Sequence, residues 1–190
     1  MNVEVQSLKA ISVASDILVL GFFEENAPPR GLAGEVDWAL NNSLSLLIKS
    51  GKTSGHFGEV VLVSSGKTRT SKILWVGLGK KEGFNHISLL KLASDVYQKL
   101  VMLGVKEAYL DLWDIEGSRL DFSSALNACL KGICQSQKEM SASRFINLTF
   151  HSREKDRVRE MNRFLKDFDF KSKASFAVGG ELFSQRKQNR

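Results

Sequence analysis

The chain has 190 residues, 43% apolar and 25% charged, with 15 Gly and only 2 Pro, a composition that fits one ordinary globular domain and excludes disorder and collagen-like structure. A chain this long buries roughly 70% of the surface its unfolded form exposes, enough for a core without disulfides or a structural metal. The net charge of +6 is unevenly placed, since 11 Lys and Arg face 6 Asp and Glu from His151 to Arg190 and the rest of the chain is almost neutral.

The first residues, Met1-Asn2-Val3-Glu4-Val5, carry no basic region ahead of an apolar stretch. No apolar run approaches the roughly 18 residues that a membrane helix needs. Neither secretion nor membrane contact is expected, and the expected location is cytoplasmic. Asp16 to Phe23 is a near-continuous apolar run before a turn at Asn26 to Gly31, as in a strand buried on both faces. Glu35 to Ser50 places Val36, Leu40, Leu44, Leu47 and Ile48 on one face, which predicts a single helix with Gly51 as its C-terminal glycine. A flexible connection, Gly55 to Gly58, leads into an apolar strand at Glu59 to Val63. After a turn at Ser64 to Thr68 comes its hairpin-related partner, Lys72 to Gly77.

Ser88 to Leu103 has helical apolar spacing, with Ser88 as the expected N-cap and Gly104 at its end. A strand at Glu107 to Leu112, a helix at Phe122 to Lys138, a strand at Arg144 to Phe150 and a helix at about Glu154 to Phe168 follow. Alternating strands and helices predict an α/β fold: a mostly parallel sheet with helices on both faces and an antiparallel portion at Glu59 and Lys72. The segment from Lys171 on has apolar positions without a following strand or helix partner and reads as a basic connector.

The chemical motifs are weak. Two Ser-Gly-Lys-Thr strings, Ser50 to Thr53 and Ser65 to Thr68, lack the earlier glycine of a phosphate-binding loop, with Leu46 and Val61 in its place. Both read as turns. Gly77-Leu78-Gly79-Lys80-Lys81 could bring backbone close to a phosphate, but Glu82 stands where a dinucleotide loop has its third glycine. A tight strand exit is the expectation. His56, His86 and His151 are scattered, no G-x-S-x-G elbow accompanies the serines, and Asp111 and Asp114 near a strand end lack an identifiable partner. Cys129 and Cys134 match neither a zinc site nor a redox pair, so free thiols are expected. The basic run from Arg153 through Arg157, Arg159 and Arg163 is interleaved with Glu154, Asp156 and Glu160 and reads as a solvated helix face rather than a nucleic-acid surface. No catalytic, cofactor-binding or metal-binding residue can be assigned from these patterns.

The order of Asp16 to Glu24, the helix ending Leu46-Leu47-Ile48-Lys49-Ser50-Gly51, then Gly55-His56-Phe57-Gly58-Glu59, and above all Lys72-Ile73-Leu74-Trp75-Val76-Gly77-Leu78-Gly79-Lys80-Lys81-Glu82, resembles the N-terminal domain of cytosolic leucyl aminopeptidases. The resemblance covers roughly residues 3 to 170. It implies a macro-domain-like, three-layer mixed sheet between helices over residues 1–170, with 171–190 as the start of a linker to a catalytic domain absent from this chain. In that family the domain projects from a hexamer, which implies homo-oligomer subunits and the catalytic domain as partners and a role in assembly or regulation. The family's catalytic domain uses two divalent metals (zinc, manganese or magnesium) to remove N-terminal residues from peptides. Its Asn-Thr-Asp-Ala-Glu-Gly-Arg-Leu signature does not occur here, so no catalytic or metal-binding residue is carried over. The alternative is a stand-alone binding module. Related macro domains bind ADP-ribose, but the Asn-Ala-Ala-Asn type of loop is missing after Ile17 to Phe23, and some bacterial relatives use this domain in DNA binding.

Overall fold

The computed structural model describes residues 2–7, 9–111, 120–140, 145–152, 155–168, 177–178 and 181–182. The strands are β1 (Asn2–Gln6), β2 (Ile17–Phe22), β3 (Val60–Ser64), β4 (Lys72–Gly77), β5 (Glu107–Asp111), β6 (Asn147–His151), β7 (Ala177–Val178) and β8 (Glu181–Leu182). The helices are α1 (Gly31–Ala39), α2 (Ser43–Lys49), α3 (His86–Met102), α4 (Phe122–Glu139) and α5 (Lys155–Asp167). They build one sheet in the order β3-β4-β2-β5-β6-β1-β7-β8. Every neighbouring pair is parallel except β3–β4 and β7–β8.

The unbroken apolar run of β2 follows from its place. It pairs with β4 on one side and β5 on the other, and all six of its residues are buried. Successive side chains point to opposite faces, so Ile17 and Val19 join the core under α3 and α4 while Leu18, Leu20 and Phe22 join the core under α1. The larger core holds Leu89, Leu92, Val96 and Leu100 of α3 with Leu126, Cys129, Leu130 and Ile133 of α4, each fully buried aliphatic side chain stabilising by roughly 1.5–3 kcal/mol. Met161 and Leu165 of α5 close it over β1. The expected three layers and the antiparallel β3–β4 portion are present.

Several expectations are corrected. The single helix over Glu35 to Ser50 is two, because Asn41 and Asn42 take left-handed backbone angles, φ 57° and 58°. Asparagine tolerates that region better than other residues with a side chain. The break leaves the amides that open α2 without helical partners, and the buried Asp37 carboxylate takes over: Leu44 N–H donates to Oδ1 at 2.7 Å, the Ser45 amide approaches at 3.4 Å, and the Ser45 hydroxyl donates to Oδ2 at 2.6 Å. Gly51 does end α2, at φ 69°, with the Lys52 amide reaching back to the Leu47 carbonyl at 2.9 Å. The N-cap of α3 is Asn85, not Ser88; its side-chain oxygen accepts the amides of Ile87 and Ser88 at 2.9 and 3.1 Å.

Strand β1 was not anticipated. Its alternation, Val3 buried between Asn2 and Glu4, is that of a strand with one buried face, and it pairs with β6. Nor were β7 and β8; Ala177 and Val178 lie beside Asn2 and Val3, giving part of the expected connector a strand partner. Leu112, Asp114, Arg144, Arg153, Glu154, residues 171–176 and residues 183–190 lie outside the described residues.

Candidate functional site

The two glycine-bearing blocks of the sequence fold onto each other at the carboxyl ends of β2 and β4. Gly58 N–H donates to the Gly77 carbonyl at 3.0 Å, Gly77 N–H to Glu59 at 2.8 Å, Gly79 N–H to Gly55 at 2.9 Å and Leu78 N–H to Phe22 at 2.9 Å. The Glu24 amide completes the set by donating to the Gly79 carbonyl at 3.1 Å. Gly77 is needed for this approach, since a Cβ there would overlap the His56 carbonyl oxygen and stand 2.7 Å from that of Gly55. The backbone of Gly77-Leu78-Gly79 is thus spent on neighbouring backbone, and its three amides are not presented to a phosphate. The expected tight strand exit is what forms.

The expected flexible connection at Gly55 to Gly58 is instead pinned. One oxygen of Glu59, Oε2, accepts the amides of Ser54, Gly55 and His56 at 3.1, 2.9 and 3.2 Å. Burial pulls the Glu59 carboxyl up, but hydrogen bonds from Ser54, Thr53 and Gly55 outweigh it and hold the group below its ordinary range. His56 Nδ1 lies 2.9 Å from Glu24 Oε1, and this hydrogen bond, then the carboxylate charge, raises the imidazole above its ordinary value. The Ser-Gly-Lys-Thr strings are turns as expected: Ser50 closes the C-terminal end of α2, the wrong end for an anion, and Ser65 to Thr68 lies in the β3–β4 connection.

A second feature lies at the carboxyl ends of β1 and β6, where α/β sheets commonly place ligands. Here a cleft of about 500 Å³ opens between α1 and the sheet. The β1–β2 connection supplies Ser7, Lys9, Ala10 and Ile11, and α1 supplies Leu32, Glu35 and Val36. His151, the last residue of β6, also lines it. The imidazole is buried and held through Nδ1, 2.7 Å from the Tyr109 hydroxyl. Asp111 lies two residues past Tyr109 on the same sheet face, buried at the end of β5; it is not among the residues lining the cleft.

Among the described residues no three His, Cys, Asp or Glu side chains converge as metal ligands. Cys129 is buried and Cys134 partly buried, both free thiols as expected. On α5 the exposed Arg159 pairs with Asp156 at 3.6 Å, a mixed solvated face.

A family model described as the cytosol aminopeptidase family, N-terminal domain, matches residues 19–141. The chain belongs to this family. Both glycine blocks and helices α1 to α4 of the cytosol aminopeptidase N-terminal domain fall within the match. A probable cytosol aminopeptidase of Sulfurihydrogenibium is 30% identical over 112 residues, which are 58% of this chain and 22% of that protein. One from Cyanothece is 32% identical over 97 residues, 50% of this chain and 20% of that protein. The matched part thus spans about a fifth of the length of these relatives.

Among solved structures, a tomato leucine aminopeptidase variant superposes with a TM-score of 0.62 at 18% identity, covering 87% of this chain and 35% of that one. An Oceanobacillus iheyensis macrodomain superposes with a TM-score of 0.67 at 11% identity, covering 86% and 88%. The macro-like fold of the cytosol aminopeptidase N-terminal domain is therefore shown.

Proposed function

We propose that this domain is a non-catalytic part of a cytosol-aminopeptidase-type protein and serves its assembly or regulation, while peptide hydrolysis belongs to a separate catalytic domain. The observation that carries the reading is the family match together with the use of its glycine blocks. Their amides and the Glu59 carboxylate hold one loop against two strand ends, which is architecture rather than chemistry. The divalent metals of such an enzyme (zinc, manganese or magnesium) have no fitting ligand set among the described residues, so no step through a metal is assigned to this chain. Partners on this reading are the catalytic domain and further subunits, and the location is cytoplasmic, as the name of the Haemophilus influenzae relative, cytosol aminopeptidase, suggests.

The test is the size of the native protein in its source cells, detected with an antibody raised against this chain. A band well above 21.2 kDa that co-purifies with leucyl aminopeptidase activity is expected. A single band at that mass without activity would favour a stand-alone binding module. An ADP-ribose site on the Gly77-Leu78-Gly79 amides would have to break the backbone hydrogen bonds described above, and heat on titration with ADP-ribose would be its sign.

A further inference from the structure

We infer that the outer edge of strand β3 pairs with the same edge of a second copy of this chain, joining two sheets about a two-fold axis at Leu62. β3 ends the sheet order, and among the described residues its backbone pairs with β4 alone. The ladder tells which of its groups face outward. Gly77 N–H donates to the Glu59 carbonyl and Ser65 N–H to the Ser71 carbonyl, so with the antiparallel register of Val60↔Val76 to Ser64↔Lys72 the odd-numbered residues of β3 bond to β4. Val60, Leu62 and Ser64 therefore turn their N–H and C=O groups away from the sheet. The opposite end of the sheet closes on strands of two residues each, too short to offer a partner much. β3 offers five residues, Val-Val-Leu-Val-Ser, and no charge or proline guards it from residue 60 to 66.

This edge is complementary to itself. Antiparallel pairing centred on Leu62 sets Val60 against Ser64 of the second copy, Ser64 against its Val60 and Leu62 against its Leu62, with two hydrogen bonds for each facing pair. All the outward groups of β3 are then used. On the face toward α1 and α2, Val61 meets Val63 of the second copy and Val63 its Val61; both side chains are half-buried and already pack on the core under α1. On the other face Leu62, 44% exposed, covers its own counterpart, and such aliphatic cross-strand pairs are what stabilise a sheet. Charge fits as well. The end of the ribbon with the exposed Lys67 lies beside the Glu59 end of the second copy, so opposite charges flank it twice. The Glu59 carboxylate does not turn into the edge, because the Ser54, Gly55 and His56 amides hold it. An unrelated extended peptide would find the same backbone groups but neither the leucine pair nor the charge match. The pairing names a partner for the proposed assembly role yet stands on β3 alone, and it is measured separately from the size of the native protein.

Sedimentation equilibrium of the full chain from about 1 to 500 µM tests the inference. The mass should rise from 21.2 kDa toward twice that value and no further. A Kd of about 10–100 µM is expected, the weak range of a small interface. Leu62→Lys and Leu62→Glu each set like charges face to face across the axis and should each weaken self-association about tenfold or more. An equimolar mixture of the two should recover it, because the lysine then faces the glutamate. Leu62 is exposed, so both variants should keep the circular dichroism of the unmodified chain. A mass of 21.2 kDa at every concentration, growth beyond the dimer, association unchanged in both variants, or a mixture that stays monomeric would overturn the inference.

Discussion

The buried carboxylate of Asp37 fixes Ser45 at the start of the next helix, accepting its hydroxyl at 2.6 Å through Oδ2 while Oδ1 takes the Leu44 amide at 2.7 Å. This is an N-cap supplied from the preceding helix, across a turn of two left-handed asparagines. Asp37→Ala should cost about 2 kcal/mol, the loss of a cap plus an unsatisfied buried amide, and Asp37→Asn about half as much, since one acceptor remains. Urea unfolding at constant m-value measures both; an unchanged midpoint for the alanine variant would show that water replaces the cap.

Gly77 and Gly58 separate close packing from backbone angle. Gly77→Ala drives a methyl into the His56 and Gly55 carbonyls and should destabilise by about 3 kcal/mol or more. Gly58→Ala meets no atom within 4 Å but adopts φ 80°, so the cost should be about 1 kcal/mol, that of a left-handed alanine. Comparable losses would mean that the loop moves away from β4 at little cost.

How much of this was legible in the sequence depended on the range of the interaction. The buried run of β2 and the helical faces of α3 and α4 declare themselves because every residue within a few positions carries the same period. The break between α1 and α2 is hidden because Val36, Leu40 and Leu44 keep helical spacing across it, while its cause is a contact from Asp37 to residues seven and eight positions on. Asn85 and Ser88 are both good caps three residues apart, and only geometry chooses between them. The cleft was out of reach: Lys9, Glu35 and His151 line one opening because β1 pairs with β6 rather than with β2, a choice of topology with no local signal. Each glycine block was recognisable as part of the family resemblance, but that the two grip each other was not.

The thiols report on the core. Burial pushes Cys129 up to about 12 and Cys134 up to about 11, the latter against a lowering by Lys138. At mildly alkaline pH neither is ionised enough to attack. A disulfide reagent should leave the folded chain unmodified on the time scale of minutes and titrate both thiols at once in denaturant; rapid modification of Cys129 in the folded chain would place it outside the core.

Two groups in the pinned loop titrate with opposite sign. His56 is raised above 6.5 by Glu24, so its folded value exceeds its unfolded one; its stabilisation is complete below that unfolded value and lost as pH rises through the raised one. Glu59 is held below 4.5, so its stabilisation is complete above that value and lost as pH falls through the lowered one. His56→Gln should therefore lower stability in mildly acidic solution and have no effect in alkaline solution. Glu59→Gln should destabilise near neutrality and converge with the unmodified chain in strong acid. Unfolding midpoints across pH measure both differences, and a His56→Gln effect that grows with pH would contradict the Glu24 pairing.

The most direct test of a non-catalytic domain is the hydrolysis of a leucyl anilide by the purified 190-residue chain, supplied in turn with zinc, manganese and magnesium. No leucine release above the metal-only background is expected with any of the three. Turnover that rises with added metal, is abolished by a chelator and tracks the chain through purification would contradict the reading and place a catalytic centre within this domain.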